Sequence, residues 1–416
     1  MQLFFLFSLL ITLAAVFSFI NVKLLKLPSG ISFILMGTFV SIGLIIAGQL
    51  SPGFTNSIKQ SLSAIDFSKF VLGILLSFLL FASSLHVNVH EIKTSAKSIF
   101  SFAILGTLLA TFLMGTAVYY LFPVFNINAP YITCLLFGSL ISPTDPISVA
   151  GILKKANLSK SIEIKIVGES LFNDGIGVVL FATFLQISTD GIENFSLLSG
   201  ILLFIQEAIG GVVAGLVIGY IGFKMMKSID DFQTEILISL AMVMGGYSLC
   251  DYMNVSGPLA MVVAGLCTGN KGRREAMSEN TRDYLEKFWE VTDHILNAVL
   301  FMLIGLEIVR VSFHYSYIYV CLLIALLLIL VRYASLWLPA FIFGFRKKLE
   351  KGTLPIMAWG GLRGGISIAL VLSLTDELQR NIFVPVTFII VLFSILIQGL
   401  SIGRLIKYHN RKVDRK

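Results

Sequence analysis

Three stretches of the chain hold ionisable side chains among apolar neighbours. They read Ser139-Leu140-Ile141-Ser142-Pro143-Thr144-Asp145-Pro146, Glu169-Ser170-Leu171-Phe172-Asn173-Asp174-Gly175-Ile176-Gly177 and Gly360-Gly361-Leu362-Arg363-Gly364-Gly365. A proline has no N–H to give, so Pro143 and Pro146 free the carbonyls four residues back, those of Ser139 and Ser142. Free carbonyls beside the Asp145 carboxylate and the Thr144 hydroxyl form a set of hard oxygens suited to a dehydrated monovalent cation. The plainer reading is a kinked helix whose aspartate caps its own backbone. In the second stretch Ser170 and Asp174 stand four residues apart with Asn173 adjacent, so three oxygen-bearing side chains share one helix face. Glu169, about 140° around the helix from Asp174, must look elsewhere. Arg363 cannot shed its proton. It therefore needs an anionic partner, and Glu169 is the expected one, in a structural ion pair that leaves Asp145 and Asp174 for chemistry.

The elements that hold these groups are membrane helices. The 416 residues are 56% hydrophobic and 13% charged, with a mean hydropathy of +0.89, whereas soluble domains carry roughly 25% charged residues. That excludes a soluble enzyme, a disordered scaffold and a nucleic-acid binder, despite a net charge of +7. The 4 cysteines (Cys134, Cys250, Cys267, Cys321) lie far apart in apolar runs and form neither a zinc pattern nor a disulfide framework. Thirteen segments are long and apolar enough to cross, at about 2–21, 31–50, 70–87, 99–122, 131–153, 166–187, 197–223, 233–251, 256–269, 288–308, 316–344, 354–374 and 384–403. The ninth is short and opens on Ser256-Gly257-Pro258. The first lacks the basic start and cleavage site of a signal peptide.

Loops after odd-numbered spans, with the tail, hold 25 of the 31 basic residues, loops after even-numbered spans hold 4, and Arg332 and Arg363 sit inside spans. The positive-inside rule then supports thirteen crossings, with the N-terminus outside and the C-terminus cytoplasmic. Thirteen divides as six, one and six. The expectation is an all-α polytopic membrane protein in a single domain of two inverted six-helix repeats. These lie at about 2–187 and 233–403, joined by a linker helix at about 197–223 and followed by a short basic tail at 404–416. Span five, with Pro143 and Pro146, and span twelve, with its glycine pairs, occupy matching places. Interrupted helices there, crossing at the midplane, are the mark of a transporter. Ionisable groups at bilayer depth are costly and usually mark a pathway. Asp145, Glu169, Asp174, Arg332 and Arg363 are deep, and Glu207, Asp251, Glu290, Asp293 and Glu307 lie in or near apolar spans.

Ser142-Pro143-Thr144-Asp145-Pro146, Glu169 to Gly175 and Gly360-Gly361-Leu362-Arg363-Gly364-Gly365-Ile366-Ser367 together resemble the NhaP-like bacterial sodium/proton antiporters, relatives of the animal sodium/proton exchangers. Weaker matches are Ser256 to Ala260 through Gly269-Asn270, and Phe301 to Glu307. The resemblance implies Na+ coordination by Asp174, Asp145, Thr144 and Ser170, with Asn173 shaping the site and Glu169 and Arg363 as the buried ion pair. It also implies a homodimer in the lipid of a bacterial or archaeal inner membrane, a mobile core and no cofactor. Some relatives carry a glutamate after Leu-Leu-Phe in the third span, where this chain has Ala82 after Leu79-Leu80-Phe81. Ion preference and pH response are expected to differ accordingly.

The expected activity is secondary antiport of Na+ (or Li+) against H+, the two competing for Asp174 and Asp145. Burial and a nearby cation pull a carboxylate's proton affinity in opposite directions, and neighbouring acids titrate as a pair. The Asn-Asp pairing of Asn173 and Asp174 resembles the electroneutral 1:1 exchangers. Potassium/proton exchange on the same fold is the alternative, and a cation channel a further one. An intramembrane aspartyl protease lacks its Gly-x-Gly-Asp signature here. The basic tail reads as lipid contact and topology signal more simply than as a regulator's site.

Overall fold

The structure is a computed structural model that describes residues 2–50, 70–145, 153, 156, 158–190, 197–308 and 318–414. Every regular element among them is helical. Hydrocarbon offers no water to an unpaired N–H or C=O, and a helix satisfies both internally. Among the described residues nine helices are long and apolar enough to cross a membrane, and a bent pair makes a tenth. That establishes an all-helical integral membrane fold.

In chain order the helices are α1 (Gln2–Ile20), α2 (Ser29–Leu50), α3 (Leu76–Leu85, entered through a wide turn at Phe70–Leu75), α4 (Val89–Phe100), α5 (Thr107–Leu121), α6 (Tyr131–Ile141), α7 (Lys160–Asp190) and α8 (Leu197–Lys227). They continue as α9 (Phe232–Tyr252), α10 (Gly257–Cys267), α11 (Glu279–Glu307), α12 (Ile318–Ile342), α13 (Thr353–Gly360), α14 (Gly365–Leu372), α15 (Arg380–Phe393) and α16 (Leu400–Asp414). Each apolar segment read from the sequence meets one of these or a pair. The second half of the fifth expected span, with Pro146, lies outside the described residues.

The largest differences are at helix starts. The fourth expected span begins at 99, yet helix runs from Val89, through a wide turn at Ser101–Gly106, to Leu121. Asn88 caps it, its side chain accepting from the His90 amide at 2.9 Å. The added turns are amphipathic: Ile92 and Ile99 are buried while Lys93 and Lys97 face outward. A hydropathy count stops where charge begins, but an amphipathic helix does not. The same holds for α11, which starts at Glu279, nine residues ahead of the expected 288. Asp231 caps α9 outside the apolar span, and bonds from the Thr234 hydroxyl and amide hold its carboxyl below the usual range.

Two kinds of helix emerge from the packing. In an apolar 18-residue stretch within Lys160–Thr189 of α7, 72% of the residues are buried, against 17% in such a stretch within Leu198–Lys227 of α8. The former is a central post and the latter a peripheral one that keeps most of its apolar surface for lipid. α8 grips the bundle through a glycine stripe at Gly211, Gly215 and Gly219. A Cβ on Gly215 would stand 2.5 Å from the Ala260 carbonyl of α10, so the two backbones touch. α10 itself is only 11 residues long and buried along most of its length, which explains why its apolar run is short. Protein, rather than bilayer, surrounds it.

Candidate functional site

Two interruptions meet beside α7. α6 ends at Ile141, after which Pro143 prevents a regular continuation. α13 and α14 bend by 47° across Gly361–Gly364. The broken backbones are joined directly, the Asp145 amide donating to the Leu362 carbonyl at 2.8 Å. Arg363 is almost wholly buried. Its amide donates to Ser394 Oγ at 3.0 Å, and its Nη1 donates to the carbonyls of Ser142 and, at 2.7 Å, Pro143. The Ser142 carbonyl, expected from the sequence to be open to a cation, is therefore occupied. A guanidinium that cannot deprotonate has settled on the carbonyls that the helix break leaves over.

Glu169 pairs not with Arg363, the partner expected from the sequence, but with Arg332 of α12. Arg332 Nη1 meets Glu169 Oε1 at 2.9 Å and Nη2 meets Oε2 at 2.6 Å, a two-pronged contact between side chains 3% and 1% exposed. Both arginines are deep, and no spacing along the chain chooses between them. Glu169 turns to Arg332, whereas Asp174 lines the cavity.

Asn173 ties this pair to the other residues. Its Nδ2 donates to Glu169 Oε1 at 2.7 Å and to Thr144 Oγ1 at 2.8 Å, while its Oδ1 accepts from the Thr144 amide at 3.3 Å. The Thr144 and Ser170 hydroxyls are 2.7 Å apart. A rigid chain thus runs from Arg332 through Glu169 and Asn173 to Thr144 and Ser170, all buried.

Thr144, Asp145 and Asp174 then line one side of a cavity of about 50 Å³. On this measure about 10–15 Å³ suffices to hold one water, so the space admits a small cation together with part of its hydration. The structure brings together all five residues read as ion-binding: three on the wall, and Ser170 and Asn173 bonded to one of those three. Among the described residues no three His, Cys, Asp or Glu side chains gather as a metal cluster. Two carboxylates with hydroxyls form a weaker, harder oxygen set.

The rest of the lining is not legible in the sequence. It includes Ser83 of α3 and Asn297 of α11, with Leu79, Leu80 and Leu300. Asn297 is a lone amide in an apolar run, and a search for charges passes over it. One turn earlier Asp293, whose backbone carbonyl accepts from Asn297 Nδ2 at 2.9 Å, has its Oδ1 buried without a hydrogen-bond partner. Ala82 is buried beside Ser83, so the wall of α3 presents a hydroxyl and leucines.

The glycines fit the wall tightly. Gly177 faces Pro143 and Gly175 faces Leu259 of α10. At Gly364 a Cβ would lie 2.7 Å from both Cβ and Oδ2 of Asp145. Gly364→Ala is accordingly expected to displace the Asp145 carboxylate and raise the half-saturating cation concentration several-fold while leaving the protein folded, as followed by cation-titrated transport and size-exclusion profile.

Residues 9–408 match the family described as sodium/hydrogen exchanger, transmembrane. The chain is 43% identical over 405 residues to the Na(+)/H(+) antiporter NhaP of Pseudomonas aeruginosa, covering 95% of each. It is 31% identical over 394 residues to the Na(+)/H(+) antiporter NhaH of Halobacillus aidingensis, covering 92% of this chain and 93% of that one. Its fold is similar to that of the sodium proton antiporter MjNhaP1 from Methanocaldococcus jannaschii, with a TM-score of 0.77 at 21% identity over 98% of this chain and 99% of that one.

Proposed function

The chain belongs to the sodium/hydrogen exchanger family, and from that membership we propose that it exchanges Na+ (or Li+) for H+ across a bacterial or archaeal inner membrane. It is a secondary transporter and not an enzyme. The observation that carries the proposal is the small cavity walled by Asp174, Asp145 and Thr144 where two broken segments cross. Half-helix breaks of this kind are where transporters hold ions.

In this mechanism Na+ replaces part of its water with the carboxylates of Asp174 and Asp145 and the Thr144 hydroxyl, with Ser170 behind it. Protons arriving at the same oxygens displace it. Competition becomes coupling when the empty, charged site moves poorly through the low-dielectric barrier, because each face then releases one ligand only by taking the other. Asn173, a neutral neighbour of Asp174, leaves the carboxylate count at that turn at one, which supports a 1:1 electroneutral cycle. Thirteen crossings in two inverted repeats, a cytoplasmic C-terminus and a homodimer complete the proposal. Its support is the bias of basic residues in the loops, the matched breaks of the fifth and twelfth expected spans, and the family.

Everted vesicles and proteoliposomes test it. Adding Na+ to acid-loaded everted vesicles is expected to relieve quenching of a pH-sensitive dye, saturably, with K+ much less effective. In proteoliposomes, valinomycin and a potassium gradient are expected to leave the rate unchanged. Equal responses to K+ would reassign the ion, and acceleration by the imposed potential would reject the 1:1 cycle.

A further inference from the structure

A second opening lies outside the ion site, in a cleft of about 1120 Å³ between the wide turn that links α4 to α5, the start of α7, and the segment after α12. Its polar wall holds Lys93, Lys97 and Lys165 with Ser101 and Ser161, and its flank holds Phe100, Ile104 and Phe343. Those three apolar side chains are 41%, 38% and 59% exposed. We propose that this cleft binds the headgroup of an anionic phospholipid, with an acyl chain lying along Phe100, Ile104 and Phe343. The inference is independent of the ion site and of the ion carried.

Charge is the first argument. Among the described residues no carboxylate stands within ion-pair distance of Lys93, Lys97 or Lys165. Glu91 is held by Lys160, and Glu350, the acid whose charge reaches Lys165, accepts from Ser159 Oγ at 2.5 Å. Lys165 is 7% exposed and bonds Ser161 alone, through the carbonyl at 3.0 Å and Oγ at 2.6 Å. One ammonium proton therefore remains, on a side chain more than nine-tenths buried, at the base of a cationic cleft. Ser101 Oγ, in the same wall, is buried without a partner.

Location is the second argument. The lysines and Ser161 of the cleft lie in the loops after the third and fifth expected spans, and its apolar flank lies at the adjoining ends of the fourth and eleventh, all on the basic side of the expected topology. Anionic lipids collect on that face, and basic pockets between helices there take their headgroups. The basic tail is excluded as an occupant by its sign. A soluble anion could satisfy the lysines but would leave the apolar flank bare.

The test uses the full chain in detergent, with native mass spectrometry and melting curves. Phosphatidylglycerol is compared with phosphatidylcholine of the same acyl chains, and inorganic phosphate and glycerol phosphate are run as soluble competitors. Phosphatidylglycerol is expected to be retained and to raise the melting temperature, and phosphatidylcholine is not. Removing each lysine should weaken lipid binding about fivefold, so K93Q/K97Q should lose about 25-fold and K93R/K97R should keep it. Both lysines are exposed, so their loss is expected to leave folding intact. Equal binding of both lipids, unchanged phosphatidylglycerol binding in K93Q/K97Q, displacement by soluble phosphate at matched concentration, or a change in oligomeric state as the sole effect of the substitutions would overturn the proposal.

Discussion

Replacing Asp174 by asparagine is expected to reduce cation-dependent proton release to the level of vesicles lacking the protein, at every pH and every Na+ concentration. The substitution keeps shape and volume at a position that is 6% exposed, so the helix face and the cavity stay as they are. What it removes is the one property exchange needs, a group that binds either a proton or a cation at the same oxygen. An amide oxygen can touch a cation but carries no charge to hold it and takes up no proton at physiological pH, so it cannot alternate between the two. Asp145→Asn is expected to impair exchange severely without abolishing it, because the backbone bond from the Asp145 amide to Leu362 survives the change. The readouts are dye dequenching in everted vesicles and melting temperature in detergent, taken on the same preparations. An Asp174→Asn protein that melts like the parent and still exchanges would remove the carboxylate from the mechanism. A folded Asp174→Asn protein that is inactive while Asp145→Asn is unaffected would confine the chemistry to a single acid.

The ease of locating that acid follows from membrane physics. Charge inside an apolar run is expensive, so Asp145, Glu169, Asp174, Arg332 and Arg363 stand out from their neighbours without any structure. Helical geometry then separates Glu169 from Asp174, and the prolines and glycines mark where the helices break. Pairing is another matter. Whether Glu169 meets Arg332 or Arg363 depends on how α12 and the bend between α13 and α14 sit against α7, and no spacing within one helix carries that information. Neutral residues are harder still. Asn297 and Ser83 reach the cavity because α11 and α3 pack there, although their sequence context resembles any span. Hydropathy places helix starts too late where Lys93, Lys97 and the charges of 279–287 interrupt it without interrupting amphipathic helix.

Arg332→Met is expected to be the most destabilising single change in this region, and the reason lies in what it leaves behind. Removing one member of a buried pair strands the other charge, at about 3–5 kcal/mol. Here the stranded group is Glu169, and its loss of position propagates, since Asn173 bonds Glu169 and Thr144 through the same amide nitrogen. Exchange should therefore fall along with the melting temperature, through displacement of the Thr144 hydroxyl. Glu169→Gln with Arg332→Met is expected to recover much of the lost stability, because the double change leaves no unpaired charge and keeps an acceptor for Asn173. Arg363→Ala works differently: it deprives the Ser142 and Pro143 carbonyls of their donor, at about 1–3 kcal/mol for a buried group left unsatisfied. Glu169→Gln should not rescue it. A double-mutant cycle in detergent melting decides the point. Coupling between Glu169 and Arg332 with near-additivity between Glu169 and Arg363 is the outcome the geometry requires, and the reverse pattern would restore the pairing that the sequence suggests.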